Sequence, residues 1–422
     1  MKTTCKQKSA RFSFAFLSFF RNFAGMITIA VEIIFWLCLA LVVYTYIGYG
    51  ALLYIILKIK HLIYRHESEP ILPLNEDMLP QVTLMICAYN EAKVIAEKMK
   101  NIRQLNYPKE KLCVMWVTDG SNDESNSLLE TYPEVTLVYS PERKGKAAAM
   151  QHGLKENRSE YVVFTDANTM LNTDALREIV RQFMKTNVGC VSGEKRVAAR
   201  NSHQAAAEGE GIYWKYESAL KQWDSNLYSA MGAAGELFAV RMSQYHPAPS
   251  NALLDDFMIS MLMVKDGHRI AYTSKAYATE FGSANMREES KRKRRIAAGG
   301  LQSIWWLRSL MNPFAYPKVA FQFVSHRVLR WSITPLAMLA LIPLNTMLVA
   351  CHGGIIYSIT GIMQMLFYAT ALLGAILNAS GHKNKWLNIP TYFLFMNMNI
   401  FVGIAYLCTH HSSGKWEKTR RG

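Results

Sequence analysis

The 422-residue sequence is short of cysteine pairs, of nucleotide-binding glycine signatures and, over its last third, of acids. Its seven cysteines are scattered, odd in number and never spaced C-x-x-C. That argues against a disulfide framework and against a structural zinc site, and leaves reduced, core-filling thiols as the simpler account. No G-x-G-x-x-G follows the first β-rich run and no G-x-x-x-x-G-K-[ST] occurs, so dinucleotide oxidoreductase and P-loop ATPase readings lose ground. No Asp or Glu lies between Glu289 and Glu417. Disorder is excluded as well, because 50% of the residues are hydrophobic.

What is present is basic and apolar together. Lys and Arg number 47 against 32 Asp and Glu, a formal charge of +15. The mean hydropathy of +0.02 averages an aqueous part with a lipid-embedded one. Ile27 to Leu57 holds one charge, Glu32, and exceeds the ~20 residues that cross a bilayer. Ser332 to Gly381 holds none and suits two spans, 332–351 and 354–378, broken at His352-Gly353-Gly354. A fourth runs from Asn388 to Cys408. Buried core helices are the alternative, disfavoured by uncharged stretches this long at both ends of the chain. Glu32 is either an interior polar residue or one near the membrane surface.

The N-terminal Lys2, Lys6, Lys8, Arg11 and Arg21 precede a span too long for a cleaved signal peptide. Arg11 to Arg21 is expected on the membrane surface, unless Met26 is the start. Four spans leave the long region after the first on one side and both termini on the other. By the positive-inside rule Lys383, Lys385 and the patch from Lys291 to Arg330 favour a cytosolic long region, while the tail cations Lys415, Lys418, Arg420 and Arg421 argue the opposite way.

Between Pro80 and Lys195 short β-rich runs alternate with helical patterns. Strands are expected at Val82–Tyr89, Leu112–Val117, Val135–Tyr139, Tyr161–Thr165 and Val188–Val191. Helices are expected at Glu91–Gln104, Asn122–Thr131, Gly145–Glu156 and Asp174–Lys185. Such alternation implies right-handed crossovers and a mostly parallel α/β sheet, with ligands at the carboxyl ends of its strands. Three polar clusters follow strands directly: Asn90-Glu91, Asp119-Gly120-Ser121 and Asp166-Ala167-Asn168.

Singly, each has a plain structural use. Asp119-Gly120 makes a turn, Asp166 and Asn168 a helix cap, and Asp255-Asp256 the charged first turn of a helix from Phe257. In chain order, strand-end acids followed by an acidic pair and a basic patch fit sugar transfer from a nucleotide sugar. A diphosphate leaving group needs a cation and basic side chains, and the acceptor hydroxyl needs a carboxylate base.

The motifs C-A-Y-N-E at 87–91, D-G-S at 119–121, K-G-K-A at 144–147, D-A-N-T at 166–169, V-S-G-E-K-R at 191–196, Y-W-K-Y-E at 213–217, G-A-A-G at 232–235 and L-D-D-F at 254–257 together resemble the membrane-bound family 2 glycosyltransferases, the hyaluronan, cellulose and poly-N-acetylglucosamine synthases. The stretch F-V-S-H-R-V-L-R-W at 323–331 resembles the approach to that family's membrane helices. The resemblance implies a GT-A fold with a mostly parallel sheet. It implies that Tyr89, Glu91 and Asp119 line a nucleoside pocket, for uridine, and that Asp166 with Asn168 holds a divalent cation, Mg²⁺ or Mn²⁺. Asp256 would be the general base beside Asp255, and attack would invert the anomeric carbon. Lys146, Arg292 and Arg295 are candidates for the diphosphate, and Trp214, Glu217, Gly232 and Trp305 for the acceptor, which is a glycan or lipid-linked. Packing is an equal account of Trp214, and a solvated surface of Lys146.

Two departures stand out. Asn168 replaces the second acid of D-x-D, removing one negative charge from the cation site. Q-x-x-R-W is absent; Lys291-Arg292-Lys293-Arg294-Arg295 stands in its place, followed by Trp305-Trp306. The cluster is a diphosphate clamp, a solvated face or an anionic-lipid patch. Leu301–Met311 is expected to lie in the membrane interface, with a core helix as alternative. The expected divisions are an N-terminal tail and span (1–66), a cytosolic GT-A domain (67–290), a basic interfacial region (291–331) and C-terminal spans with a tail (332–422). A multi-pass inner or plasma membrane transferase follows, with export or accessory subunits as further partners and no nucleic acid. Single addition to a lipid carrier or glycolipid, and a non-catalytic membrane scaffold, are the competing readings.

Overall fold

The computed structural model describes residues 25–63, 75–198, 205–281, 286–380, 382 and 384–409. Four helices are long and apolar enough to cross a membrane: Gly25–Ile63, Pro317–Cys351, Ile355–Ala379 and Trp386–Thr409. The second begins at Pro317, earlier than expected, and so takes in the F-V-S-H-R-V-L-R-W stretch. Gly353, at φ 58°, ends it where the glycine pair was expected to. Glu32 belongs to the interior reading, since its carboxylate accepts a hydrogen bond from Tyr357 Oη of the third long helix. The surface reading of Arg11 to Arg21, the four tail cations and Lys383 lie outside the described residues.

Between the first and second long helices the chain builds one eight-stranded sheet. The strands are β1 (Val82–Ala88), β2 (Leu112–Asp119), β3 (Val135–Ser140), β4 (Tyr161–Asp166), β5 (Met170–Leu171), β6 (Val188–Ala198), β7 (Leu237–Arg241) and β8 (Arg269–Phe281). The helices are α1 (Ala92–Arg103), α2 (Ser125–Glu130), α3 (Lys146–Glu156), α4 (Ala175–Phe183), α5 (Ala205–Leu227), α6 (Asp255–Lys265) and α7 (Met286–Trp306). The strand order is β3-β2-β1-β4-β7-β6-β8-β5. The first four in that row are parallel, while β7 runs antiparallel to both β4 and β6. The expected strands thus recur within a residue or two at most of their ends, except that β6 runs on to Ala198, and three more join them.

Sequence explains the layering. Side chains of β1 alternate between faces, so Met85 joins one core with Met115, Val117 and Phe164, while Leu84 and Ile86 join the other with Val114 and Trp116. A parallel strand covered on both faces must be apolar almost throughout, as β1 is. In α4 the buried Ala175, Leu176, Ile179, Val180 and Phe183 recur at helical spacing and place one stripe against the sheet. Each large side chain so buried contributes about 1.5–3 kcal/mol.

The basic cluster is part of α7 and is not a separate segment. Lys293 is 3% exposed, and Arg292 meets Glu236, Glu280 and Glu289 at 3.3, 3.5 and 3.8 Å. The expected interfacial helix Leu301–Met311 is the end of α7 plus a 3-10 turn at Arg308–Met311, with Leu307 and Leu310 buried in the domain core and Trp305 exposed. The core alternative therefore describes most of this stretch.

Candidate active site

Parallel register puts the three polar clusters side by side. Ala88 pairs with Thr118 and Cys87 with Asp166, so Tyr89, Asp119 and Asp166 leave the same, carboxyl, edge of neighbouring strands. Asn90 turns the chain at φ 55°, a left-handed value asparagine tolerates. Its amide donates to Ser121 Oγ at 3.1 Å, and its Oδ1 accepts from the Asn122 amide at 2.9 Å. The Glu91 amide donates to Ser125 Oγ at 2.9 Å. The loops after β1 and β2 are therefore one stitched unit.

Asp119 is 5% exposed and its two oxygens accept the backbone amides of Lys144 and Gly145 at 2.8 and 2.7 Å. It shapes the K-G-K turn before α3. Gly120 is required beside it: at φ +69° a Cβ would fall 2.5 Å from Arg143 N. Arg143 in turn covers the Tyr89 ring at 4.0 Å. Sequence reasoning passed over Arg143, although its place in the same loop as Lys144 was a usable signal.

Lys146 opens α3 and reaches across the strand ends to Asp166 Oδ1 at 2.6 Å and Gly235 O at 3.5 Å. Burial alone would lower its pKa; Asp166 and Asp255 outweigh that, with Asp256 adding to them, and the ammonium is held charged. This is a half-buried cation held by Asp166 in the field of Asp255 and Asp256, where a solvated surface was the alternative.

Asp255 and Asp256 form the first turn of α6, where unpaired backbone amides favour negative charge. The Phe257 amide donates to Asp256 Oδ1 at 2.8 Å. Gly235 lies against the other oxygen so closely that a Cβ there would come within 2.7 Å of it. Asp255 Oδ2 is buried without a hydrogen-bond partner. Burial first, and then the charge of Asp255, push the Asp256 carboxyl up to about 7, with Lys146 opposing. Beneath the Asp166 loop, buried Lys98 of α1 donates to Thr169 O at 2.6 Å and Thr165 Oγ1 at 3.3 Å. Desolvation lowers its pKa to about 7. No sequence signal marked it, since an isolated lysine in a helix reads as surface.

Oxygen donors suited to a hard divalent cation are present in Asp166, Asn168 and the unpartnered Asp255 Oδ2. Among the described residues no cluster of three or more His, Cys, Asp or Glu is poised as a cage. The donor set therefore fits a cation that keeps several waters and shares the phosphates.

The remaining candidates fall elsewhere. Arg292 is enclosed with Glu236, which burial would raise but Lys195 and Arg292 hold well below the usual carboxylate range. Its charge is matched within the protein, so it is no unengaged clamp. Arg295 is half-buried on the same helix. Trp214 lies beneath the ammonium groups of Lys195 and Lys293 at 5.5 and 5.8 Å. Gly232, at φ +96°, permits contact with Phe257, whose ring a Cβ would meet at 2.1 Å. Trp305 is 66% exposed and carries Arg308 against its ring at 5.0 Å.

Glu217 of α5 is 4% exposed, and its oxygens accept from Arg327 and Arg330 at 2.9 and 2.8 Å. Burial would raise it; Arg327, His326 and Arg330 hold it well below the ordinary range. That ties it to the second long helix instead of an acceptor surface. Beside it Asp224 engages Tyr49, Gln322 and His326, joining the first and second long helices to α5. Residues Val324–Ile333 form a π-helical stretch, and the wider turn buries Ser325, His326, Arg327 and Arg330 together.

A model of "Glycosyl transferase family 2" matches residues 83–243. A "Poly-beta-1,6-N-acetyl-D-glucosamine synthase" of Staphylococcus aureus (strain COL) is 29% identical over 133 residues, 31% of this chain and 32% of that relative. A Staphylococcus epidermidis protein of the same name is 26% identical over 125 residues, 29% of this chain and 30% of the relative. The aligned segment spans about a third of the curated relatives' own length. Among solved structures, a mannosyltransferase from Pyrobaculum calidifontis, in complex with GDP-Man and Mn²⁺, superposes with a TM-score of 0.64 at 21% identity, covering 89% of this chain and 99% of that one. At that identity the likeness is one of fold: a GT-A-like sheet with helices.

Proposed function

We propose, from the premise that residues 83–243 are a glycosyl transferase family 2 domain, that the chain is a membrane-bound inverting transferase moving a sugar from a uridine diphosphate sugar to a polysaccharide or lipid-linked acceptor. The carrying observation is the meeting of Lys146 with Asp166, and its charge coupling to Asp255 and Asp256, at the carboxyl edge of the sheet. Tyr89 and Glu91 lie beside the Asp119 turn and hold the nucleoside; Asp119 acts by fixing the K-G-K loop. Lys146 faces the diphosphate. Asp166 with Asn168 would hold Mg²⁺ or Mn²⁺, which would neutralise charge developing on the leaving diphosphate.

The acceptor hydroxyl oxygen attacks the anomeric carbon and forms the new C–O bond. The bond from that carbon to the diphosphate oxygen breaks, and its electron pair leaves with the nucleoside diphosphate. The hydroxyl proton passes to Asp256, whose raised pKa sits near neutral pH, where a general base is most effective. The relatives' names support N-acetylglucosamine as the first sugar to try, and the neighbour's title supports a nucleotide-sugar donor and a divalent cation. The four long apolar helices support a multi-pass membrane protein. Its place in the inner or plasma membrane, the cytosolic side of its sheet domain and export or accessory subunits as partners are part of the same proposal.

Single addition is the second reading, favoured by the engagement of Arg292 with Glu236, Glu280 and Glu289 where Q-x-x-R-W is missing. The test is a panel of radiolabelled nucleotide sugars given to membranes holding wild type or Asp256→Asn, with products sized. Transfer by the variant at the wild-type rate, or failure of wild type to bind uridine diphosphate with Mn²⁺, sinks the reading. A polymer ladder excludes single addition.

A further inference from the structure

Lys98 of α1 is fully buried, and its ammonium finds two acceptors, Thr169 O at 2.6 Å and Thr165 Oγ1 at 3.3 Å. Neither is a carboxylate. A desolvated ammonium held by neutral oxygens is costly, and burial pulls its pKa down against the charge of Asp166. Ile95, Met99 and Ile102 of the same helix are buried at no such cost. A fold keeps a costly group of this kind where it serves a site.

The two acceptors flank the D-A-N-T turn. Thr165 directly precedes Asp166, and Thr169 directly follows Asn168. Thr165 Oγ1 lies 2.9 Å from Thr169 Oγ1 and 3.0 Å from Glu236 O, and Thr169 Oγ1 lies 2.9 Å from Asp166 O. One turn further along α1, Asn101 takes both backbone groups of Leu171. Its Nδ2 donates to the carbonyl and its Oδ1 accepts from the amide, each at 2.8 Å. Residues 165–171, with Asp166 and Asn168 among them, are thus bracketed from beneath by one face of α1. The same helix begins at Ala92, directly after Tyr89 and Glu91, so one rigid element joins the nucleoside loop to the cation loop.

We propose that Lys98 is a positioning residue for the cation site, holding the Asp166–Thr169 turn so that Asp166 and Asn168 meet the divalent cation and the diphosphate in a fixed geometry. The proposal rests on the transferase reading above and deepens its cation site. Lys98 acts through the Thr169 carbonyl and the Thr165 hydroxyl and touches no reacting atom. A turn already fixed by these bonds is not ordered at the expense of binding when the cation arrives with the nucleotide. Without the ammonium, the Thr169 carbonyl loses its link to α1, and the cation's oxygen donors lose their backing.

The test is calorimetric titration of the purified full chain in detergent with uridine diphosphate, once with Mn²⁺ and once with EDTA. Wild type is compared with Lys98→Met and Thr165→Val, which keep the side-chain shape and remove the polar link. With Mn²⁺ both variants should bind about tenfold more weakly than wild type. With EDTA both should bind as wild type does, because Tyr89 and Glu91 are untouched. A lysine that only supports the fold would weaken binding equally in the two conditions. Equal losses with Mn²⁺ and EDTA, or undiminished binding with Mn²⁺, overturn the proposal. Should Lys98→Met fail to fold, Thr165→Val carries the same comparison by itself. Failure of wild type to bind uridine diphosphate with Mn²⁺ is a different result, which fells the transferase reading itself.

Discussion

Replacing Asp256 by Asn should stabilise the protein at alkaline pH while abolishing transfer. The carboxyl is pushed up to about 7 in the fold, against 3.8 for an ordinary aspartate. Folding therefore favours its protonated form. That contribution is complete below the unfolded value and is lost as pH rises through about 7. Above that, wild type carries a charged carboxylate next to Asp255 in a desolvated turn. Roughly three pKa units at ~1.4 kcal/mol each give about 4 kcal/mol, an upper bound because part of the residue meets solvent. Asn keeps an oxygen for the Phe257 amide and never ionises. At about 2–4 °C per kcal/mol, the variant should melt on the order of ten degrees higher at most at pH 8, with the gap closing toward pH 4. Melting curves of purified protein at both pH values read this directly. A gap independent of pH, or a variant less stable at pH 8, refutes the argument. In the same preparations wild-type transfer should rise with pH through about 7, as a base that must be ionised requires.

Lys146→Met removes the charge that opposes the rise of Asp256, so the acid limb of the transfer profile should move to higher pH, with a fall of about 10²-fold in kcat; an unmoved limb contradicts the placement. Glu217→Gln leaves Arg327, Arg330 and His326 short of their counter-charge and should cost about 3–5 kcal/mol, seen as a lower melting temperature that Glu217→Gln with Arg330→Gln partly recovers. Gly232→Ala forces a Cβ into the Phe257 ring at a φ alanine disfavours and should cost about 1–3 kcal/mol; unchanged melting would show that the ring moves freely.

The half of the sheet built from local alternation was legible. Each strand of Val82 to Asp166 is an apolar run closed by a polar turn, and each intervening helix carries a stripe, so pattern and fold agree there. The four long apolar helices were legible for the same reason, since charge-free length needs no partner to be read. β7 and β8 were not: β7 inserts antiparallel between β4 and β6, which precede it in the chain, a choice made by distant partners. The acids after the strands were found, but their division of labour was not, because Asp119 spends its oxygens on amides 25 and 26 residues away. The basic run of α7 looked solvated or ligand-facing because the adjacent Glu288 and Glu289 are too few to match it; its further counter-charges, Glu236 and Glu280, come from the loop before β7 and from β8. Glu217 misled in the mirror sense, its cations lying 110 and 113 residues downstream.

That last separation bears on how the protein is made. While the sheet domain emerges from the ribosome, Glu217 and Asp224 lack the cations that hydrogen-bond to them in the finished fold, because His326, Arg327 and Arg330 are still to be synthesised. Two buried carboxylates short of these partners disfavour the closed packing of α5 by an amount on the order of several kcal/mol. The π-helical stretch that brings those cations is continuous with an apolar helix of the kind a translocon delivers to lipid. Completion of the domain therefore waits on insertion of the second long helix, and a chain arrested before Pro317 should remain a protease-sensitive, inactive domain.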